Sequence, residues 1–167
     1  MRPLLDWQLS VGSLLFALGL AGTAVAQCTM GGTNAYWHAN GAGCGTPPTL
    51  GALNAPVLGT TCVLRTSNLP PNALFVVSWI TTFPPGLATT TLLGFPLGTG
   101  CSNYIPSPDA FVLNYAWSGF VDVALPIPAN PSWIGHVVNV QSAVLDVFSA
   151  AINFPEVSNG VCLYPGN

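Results

Sequence analysis

Short apolar runs, broken every few residues by glycine or proline, set the rhythm of this chain. Past residue 26 no segment of ten or more residues carries the helical period, while several alternate apolar and polar side chains at the period of a strand. Strands are predicted at 49–53, 60–67, 73–83, 90–97, 101–105, 137–145 and 157–163. The run 73–83 is the most apolar and reads as a central strand buried on both faces. Within 110–125, Phe111, Leu113 and Tyr115 alternate with Val112, Asn114 and Ala116. After Trp117-Ser118-Gly119, Phe120, Asp122 and Ala124 alternate with Val121, Val123 and Leu125. This predicts a β-hairpin with Gly119 at the positive-φ position, ended by Pro126 and Pro128. Residues 131–135 predict a single helical turn. The fold class is therefore all-β: a β-sandwich of eight or nine mostly antiparallel strands over 49–167, behind an irregular arm at 27–48.

Residues 1–26 read as a secretory signal. Arg2 lies near the start, an apolar stretch fills 11–25, and Ala24-Val25-Ala26 supplies the small residues a signal peptidase needs. The stretch is shorter than the roughly 20 apolar residues of a membrane-spanning helix. Gln27 precedes Cys28 where a lipoprotein has a small residue, so the expected product is soluble, secreted or at the cell surface, with no membrane span after signal removal. Residues 27–167 suit one domain.

Composition narrows the chemistry. Asp, Glu, Lys and Arg make up 4 % of the chain, against about 25 % in an ordinary domain. There is no lysine, and residues 27–167 set Arg65 against Asp109, Asp122, Asp146 and Glu156. Nucleic acid and anionic membranes need clustered cations, so neither is an expected partner. No Gly-x-Ser-x-Gly elbow, Cys-x-x-Cys pair or lysine-bearing phosphate loop occurs in this segment. No cofactor or metal is expected. Asp109, Asp122 and Asp146 are the candidate calcium ligands, but they lack the Asp-x-Asp-x-Asp spacing. His38 and His136 read as ordinary surface or core histidines. Asp122 and Asp146 are the candidate carboxylate pair for a hydrolase, although nothing in their spacing forces them together. Trp79 and Tyr104 are aromatic too, and Trp79 falls in the apolar strand and reads as core. Tyr36, Trp37, Trp117 and Trp133 are the candidate binding residues, because flat rings with a polar edge suit sugar stacking and protein contact alike.

Four ordered segments carry a family resemblance: Asn68-Leu69-Pro70-Pro71-Asn72-Ala73, Ala124-Leu125-Pro126-Ile127-Pro128-Ala129-Asn130-Pro131, Gln141-Ser142-Ala143-Val144-Leu145-Asp146 and Val157-Ser158-Asn159-Gly160. Together with Gly41-Ala42-Gly43-Cys44 and Gly100-Cys101, they make residues 41–164 resemble a small β-domain common at the C-terminal ends of secreted planctomycete proteins. That domain has no established activity to carry over. The resemblance implies a disulfide between Cys44 and Cys101. The chain holds five cysteines, and export permits bridges between them. The preferred second bridge is Cys62–Cys162, in two predicted strands, with Cys28 as the free thiol. Cys28–Cys162 and Cys28–Cys62 stay open.

The expectation is an exported, non-catalytic structural or interaction module of the cell envelope or extracellular matrix. Its partners would be other envelope or matrix proteins, with self-association. The first alternative is a carbohydrate-binding module that holds polysaccharide through exposed aromatics, and a hydrolase with a carboxylate pair stands last.

Overall fold

The computed structural model describes residues 33–45, 47–82, 89–105, 107–116, 118–148 and 152–167. The expected signal segment, Cys28 and Trp117 lie outside the described residues. In β3 (Thr61–Ser67), Cys62, Leu64 and Thr66 are buried while Val63 and Arg65 turn outward, the alternation of a strand with one face on a core. β3 lies between β2 (Thr49–Ala52) and β8 (Val121–Pro126) in a three-stranded antiparallel sheet. A five-stranded sheet packs against it. Its order is β1 (Tyr36–Asn40), β10 (Asn153–Tyr164), β9 (Val138–Asp146), β4 (Phe75–Thr81) and β7 (Ala110–Tyr115). All four of its pairings are antiparallel. The fold is an all-β sandwich.

Leu50, Leu64, Val76, Val123, Val140 and Leu163 meet between the two sheets. Each such side chain, fully buried, contributes about 1.5–3 kcal/mol. Within this core Thr66 donates to Ser142 Oγ (3.1 Å), and Ser142 and Ser78 share a second hydrogen bond (2.7 Å). The three hydroxyls tie the sheets together with partners satisfied, which keeps their burial affordable. Asn159 of β10 adds a second tie. Its Oδ1 accepts from the Leu50 N–H and its Nδ2 donates to the Leu50 carbonyl, both at 2.9 Å, so one side chain imitates a strand neighbour for β2.

β4 is buried on its other face too, as its apolar run predicts. A flap of residues 89–105 covers it. The flap carries a hairpin of two-residue strands, β5 (Thr91–Leu92) and β6 (Phe95–Pro96). Leu92, Cys101, Ile105, Phe154 and Val157 close over Trp79 and Ala143 in a second core. Trp79 Nε1–H donates to Asn103 Oδ1 (3.1 Å), and Gln141, fully buried, bonds Tyr104 N–H, the Ser102 carbonyl and the Ser158 carbonyl. The Cys44–Cys101 disulfide fastens the flap to the chain beside Val157.

Five expectations change. The run 90–97 is not one strand but the flap hairpin, β5 and β6 turning at Leu93-Gly94. Residues 110–125 are not a hairpin: β7 pairs with β4 in one sheet and β8 with β3 in the other. The turn keeps Gly119 at φ 74°, but the chain arches across the sandwich. The inward residues Val112 and Val123 then enter the same core from opposite sides. The arm at 27–48 is not irregular throughout, because Tyr36–Asn40 forms the edge strand β1. Residues 101–105 form no strand and instead lie in the flap. The Cys62–Cys162 bridge is absent. Cys62 is a free buried thiol and Cys162 is disulfide-bonded elsewhere. Strand parity explains it. Cys62 points into the core between the sheets, whereas Cys162 sits between Val161 and Leu163, which take that direction, and so faces the opposite side of β10. The single turn at 131–135 is present as a 3₁₀ turn at Pro131–Trp133, capped by Asn130 Oδ1 on Ser132 N–H.

Candidate functional site

β7 is one of the two edge strands of the five-stranded sheet. Val112 and Ala116 pack on the core, so alternation turns Phe111, Leu113 and Tyr115 to the outer face. Phe111 is 41 % exposed and Leu113 60 %. The flap hairpin rises beside them. Its two turn residues, Leu93 and Gly94, both have positive φ, 52° and 83°. That pattern fits the tight hairpin turn in which Asn-Gly is the preferred pair. A leucine there costs about 1–2 kcal/mol in backbone strain, and it leaves an apolar side chain 64 % exposed. Between hairpin and strand runs a groove of about 320 Å³, floored by Val77, Leu145 and Phe154 and walled by Leu93, Phe95, Phe111 and Leu113, with Ile152 at its rim. Among the described residues no ionisable side chain lines it. The run of residues Phe111, Leu113 and Tyr115 was legible as alternation, but the groove was not, because the flap that makes its second wall packs across from another part of the chain.

The strand edge beside this groove is equally bare of charge. Ala116 N–H donates to the Leu74 carbonyl. In an antiparallel ladder this sets the alternation: Val112 and Asn114 direct their backbone groups to β4, and Phe111 and Leu113 direct theirs away from it. Among the described residues no strand or bridge pairs with that outer side.

A second, larger cleft of about 560 Å³ lies between the loop before β4 and the ends of β9 and β10, lined by Asn72, Leu74, Asp146, Phe148 and Glu156 among others. Asp146 accepts from the Phe148 N–H (2.9 Å), a local turn contact. Glu156 Oε2 is buried without a hydrogen-bond partner, and desolvation raises the pKa of this carboxyl above its ordinary value.

The residues singled out in the sequence are scattered rather than gathered. Asp122 lies on β8, bound to Arg65, and Asp146 ends β9 in the other sheet, so among the described residues no common cleft joins the candidate carboxylate pair. Asp109 accepts from Thr82 N–H (2.7 Å) and from the Thr82 and Thr81 hydroxyls, which hold its pKa low, the Thr82 amide first. Among the described residues no group of three or more His, Cys, Asp or Glu side chains is placed to hold a metal ion. His38 stacks on Tyr164 and His136 tilts against Trp133. Of the binding candidates, Tyr36 stacks on Tyr164 with ring centroids 4.2 Å apart. Trp37 extends over Gly51, and Trp133 is half-buried against the core. Tyr104 is buried, its hydroxyl bonded to Ala42. These rings form no shared platform.

No protein family, curated protein or solved structure matches this chain. The disulfide fits an oxidising compartment, and among the described residues no helix is long and apolar enough to cross a membrane.

Proposed function

We propose that this chain is an exported, non-catalytic contact module of the cell envelope or extracellular matrix, and that its working surface is the outer face of β7 with the flap hairpin. The observation that carries this reading is the uncharged groove walled by Phe111, Leu113, Leu93 and Phe95. Contiguous exposed apolar surface of this kind marks association sites. The strained Leu93 adds weight, because backbone strain is retained where the displayed side chain has work to do. The signal-like residues 1–26 and the resemblance to the C-terminal β-domain of secreted planctomycete proteins support export and a non-catalytic role.

The test is fractionation of an export-competent host expressing the whole chain, wild type against Phe111→Glu. Wild type is expected in the envelope or matrix fraction, with Phe111→Glu released to the medium although still folded by circular dichroism. Equal partitioning of the two proteins would sink the proposal.

A further inference from the structure

Four of the five cysteines have a settled state. Cys44 is bonded to Cys101, and Cys62 is a free thiol in the core between the sheets. Cys162 is disulfide-bonded. Within the chain one cysteine is left to be its partner, Cys28. Cys162 also presents the right side of its strand. Val161 and Leu163 take the core side of β10, so Cys162 Sγ lies on the outer side, where the Asn40 amide donates to it (3.4 Å).

We infer that Cys28 and Cys162 form a second disulfide, which ties the N-terminal segment to the outer face of β10. The inference goes beyond the contact-module reading and does not rest on it. Reach agrees with elimination. β1 and β10 run antiparallel, with Tyr36 opposite Tyr164 and His38 opposite Cys162. The same register runs on to the chain end, where Asn167 N–H donates to the Thr33 carbonyl (3.2 Å). Thr33 is therefore level with Asn167, which lies five positions from Cys162, or about 17 Å at the rise of a strand. Cys28 stands five residues before Thr33, and five residues span up to about 17 Å. The bridge itself adds about 5.5 Å between Cα atoms, so the segment is long enough to make the bond. Its formation is an oxidation. Each thiol gives up one hydrogen, and a disulfide oxidant of the exported compartment accepts both by thiol–disulfide exchange and leaves as two thiols. The bond has a consequence for retention. On the expected cleavage after Ala26, Cys28 is the second residue of the exported chain. A sulfur held in this bridge carries no thioether-linked lipid, so retention in an envelope or matrix falls to the protein surface. β9 and β4 separate β10 from β7, three strand spacings or about 14 Å, so the bridge fastens the N-terminal segment away from the groove wall at Phe111 and Leu113.

The experiment is peptic digestion of the purified exported product, in acid and without reductant, read by mass spectrometry. A linked Cys28–Cys162 peptide pair is expected beside Cys44–Cys101, with Cys62 the one cysteine that alkylates after denaturation. This map is made on wild type and so does not depend on any variant folding. Cys28→Ser is expected to raise the alkylated cysteines from one to two, the second being Cys162. Cys28 recovered as a free thiol, as a lipid thioether or in a bridge between two chains overturns the inference. So does Cys162 that alkylates in wild type, or a product whose first residue lies beyond Cys28. None of these outcomes touches the contact-module reading, which stands or falls on the partitioning of Phe111→Glu.

Discussion

Arg65 and Asp122 face each other across the β3–β8 ladder, joined by two N–H···O contacts of 2.7 Å each. The guanidinium also lies over the Phe120 ring, 4.2 Å from its centroid. In a sequence with two basic residues in all, this pair is the one salt bridge among the described residues. It is more than a third exposed on both sides, so water and salt screen it and its contribution is small.

The pH dependence of this pair has a definite sign. The Arg65 hydrogen bond holds the Asp122 pKa below its ordinary value. A folded-state pKa lower than the unfolded one gives stability that is present above the ordinary aspartate range and is lost as pH falls through the depressed value. Asp109, held low by Thr82, acts in the same direction. Urea midpoints of wild type are therefore expected to fall on acidification, and the fall should be shallower in Asp122→Asn. High salt should shrink the neutral-pH difference between the two proteins. A pH-independent difference would show that Arg65 does not set this carboxyl.

Glu156 is expected to behave oppositely. Burial raises its pKa, and Oε2 lacks a partner. A raised carboxyl gives stability that is fully present below the ordinary glutamate value and is lost as pH rises through the elevated one. Glu156→Gln keeps the shape and removes the ionisation, so it should be more stable than wild type at neutral pH and level with it in acid. The check is the same urea series at the two pH values. A variant less stable than wild type at neutral pH would mean that the carboxylate has a partner the geometry does not reveal.

The strands with one buried face, β3 and β8, were legible from alternation, and β4 from its unbroken apolar run. Partner choice was not. The pattern around Val112 and Val123 is the same whether β7 and β8 pair in a hairpin or face each other across a core, since both arrangements bury one side of each strand. The flap was misread for a related reason. Within 101–105, Cys101 and Ile105 are apolar because they pack with Trp79 in the second core, not because they join a ladder. Cys62 and Cys162 both sit in strands, as expected, yet which face each presents depends on register, which sequence does not state. Of the site, Phe111, Leu113 and Tyr115 stood out as an alternating set, while Leu93 and Phe95 gave no signal that they would stand beside it.

The two kinds of cysteine give separable readouts. The Cys44–Cys101 bridge spans 57 positions, a loop for which the chain-entropy model gives about 4 kcal/mol. Cys101→Ser is expected to lower stability by that order. It should also shift Trp79 fluorescence to the red, because the flap that excludes water from the indole is no longer tethered. Cys62 lies in the other core and burial pushes its thiol pKa to about 11, so the native protein should resist thiol reagents. Labelling of Cys62 should therefore follow global unfolding in denaturant. Fast labelling of the native protein would mean that the two sheets separate locally at β3.

Leu93 offers the sharpest separation of stability from contact. Its φ of 52° belongs to a region where leucine is strained and asparagine is tolerated. It touches the groove with an exposed side chain instead of filling a core. Leu93→Asn should therefore raise the stability of the isolated chain by about 1 kcal/mol. The same substitution replaces an apolar wall of the groove with an amide, so it should also weaken retention in the envelope or matrix fraction. Gly94→Ala tests the strain half alone: its φ of 83° makes any side chain unfavourable there, no heavy atom lies within 4 Å of the new Cβ, and the groove is left intact. It should lower stability without altering retention. Denaturant midpoints and fractionation, measured on the three proteins together, decide the matter. If Leu93→Asn is more stable and partitions as wild type, the leucine is not kept for contact, and the groove loses its flap-side wall as a working surface.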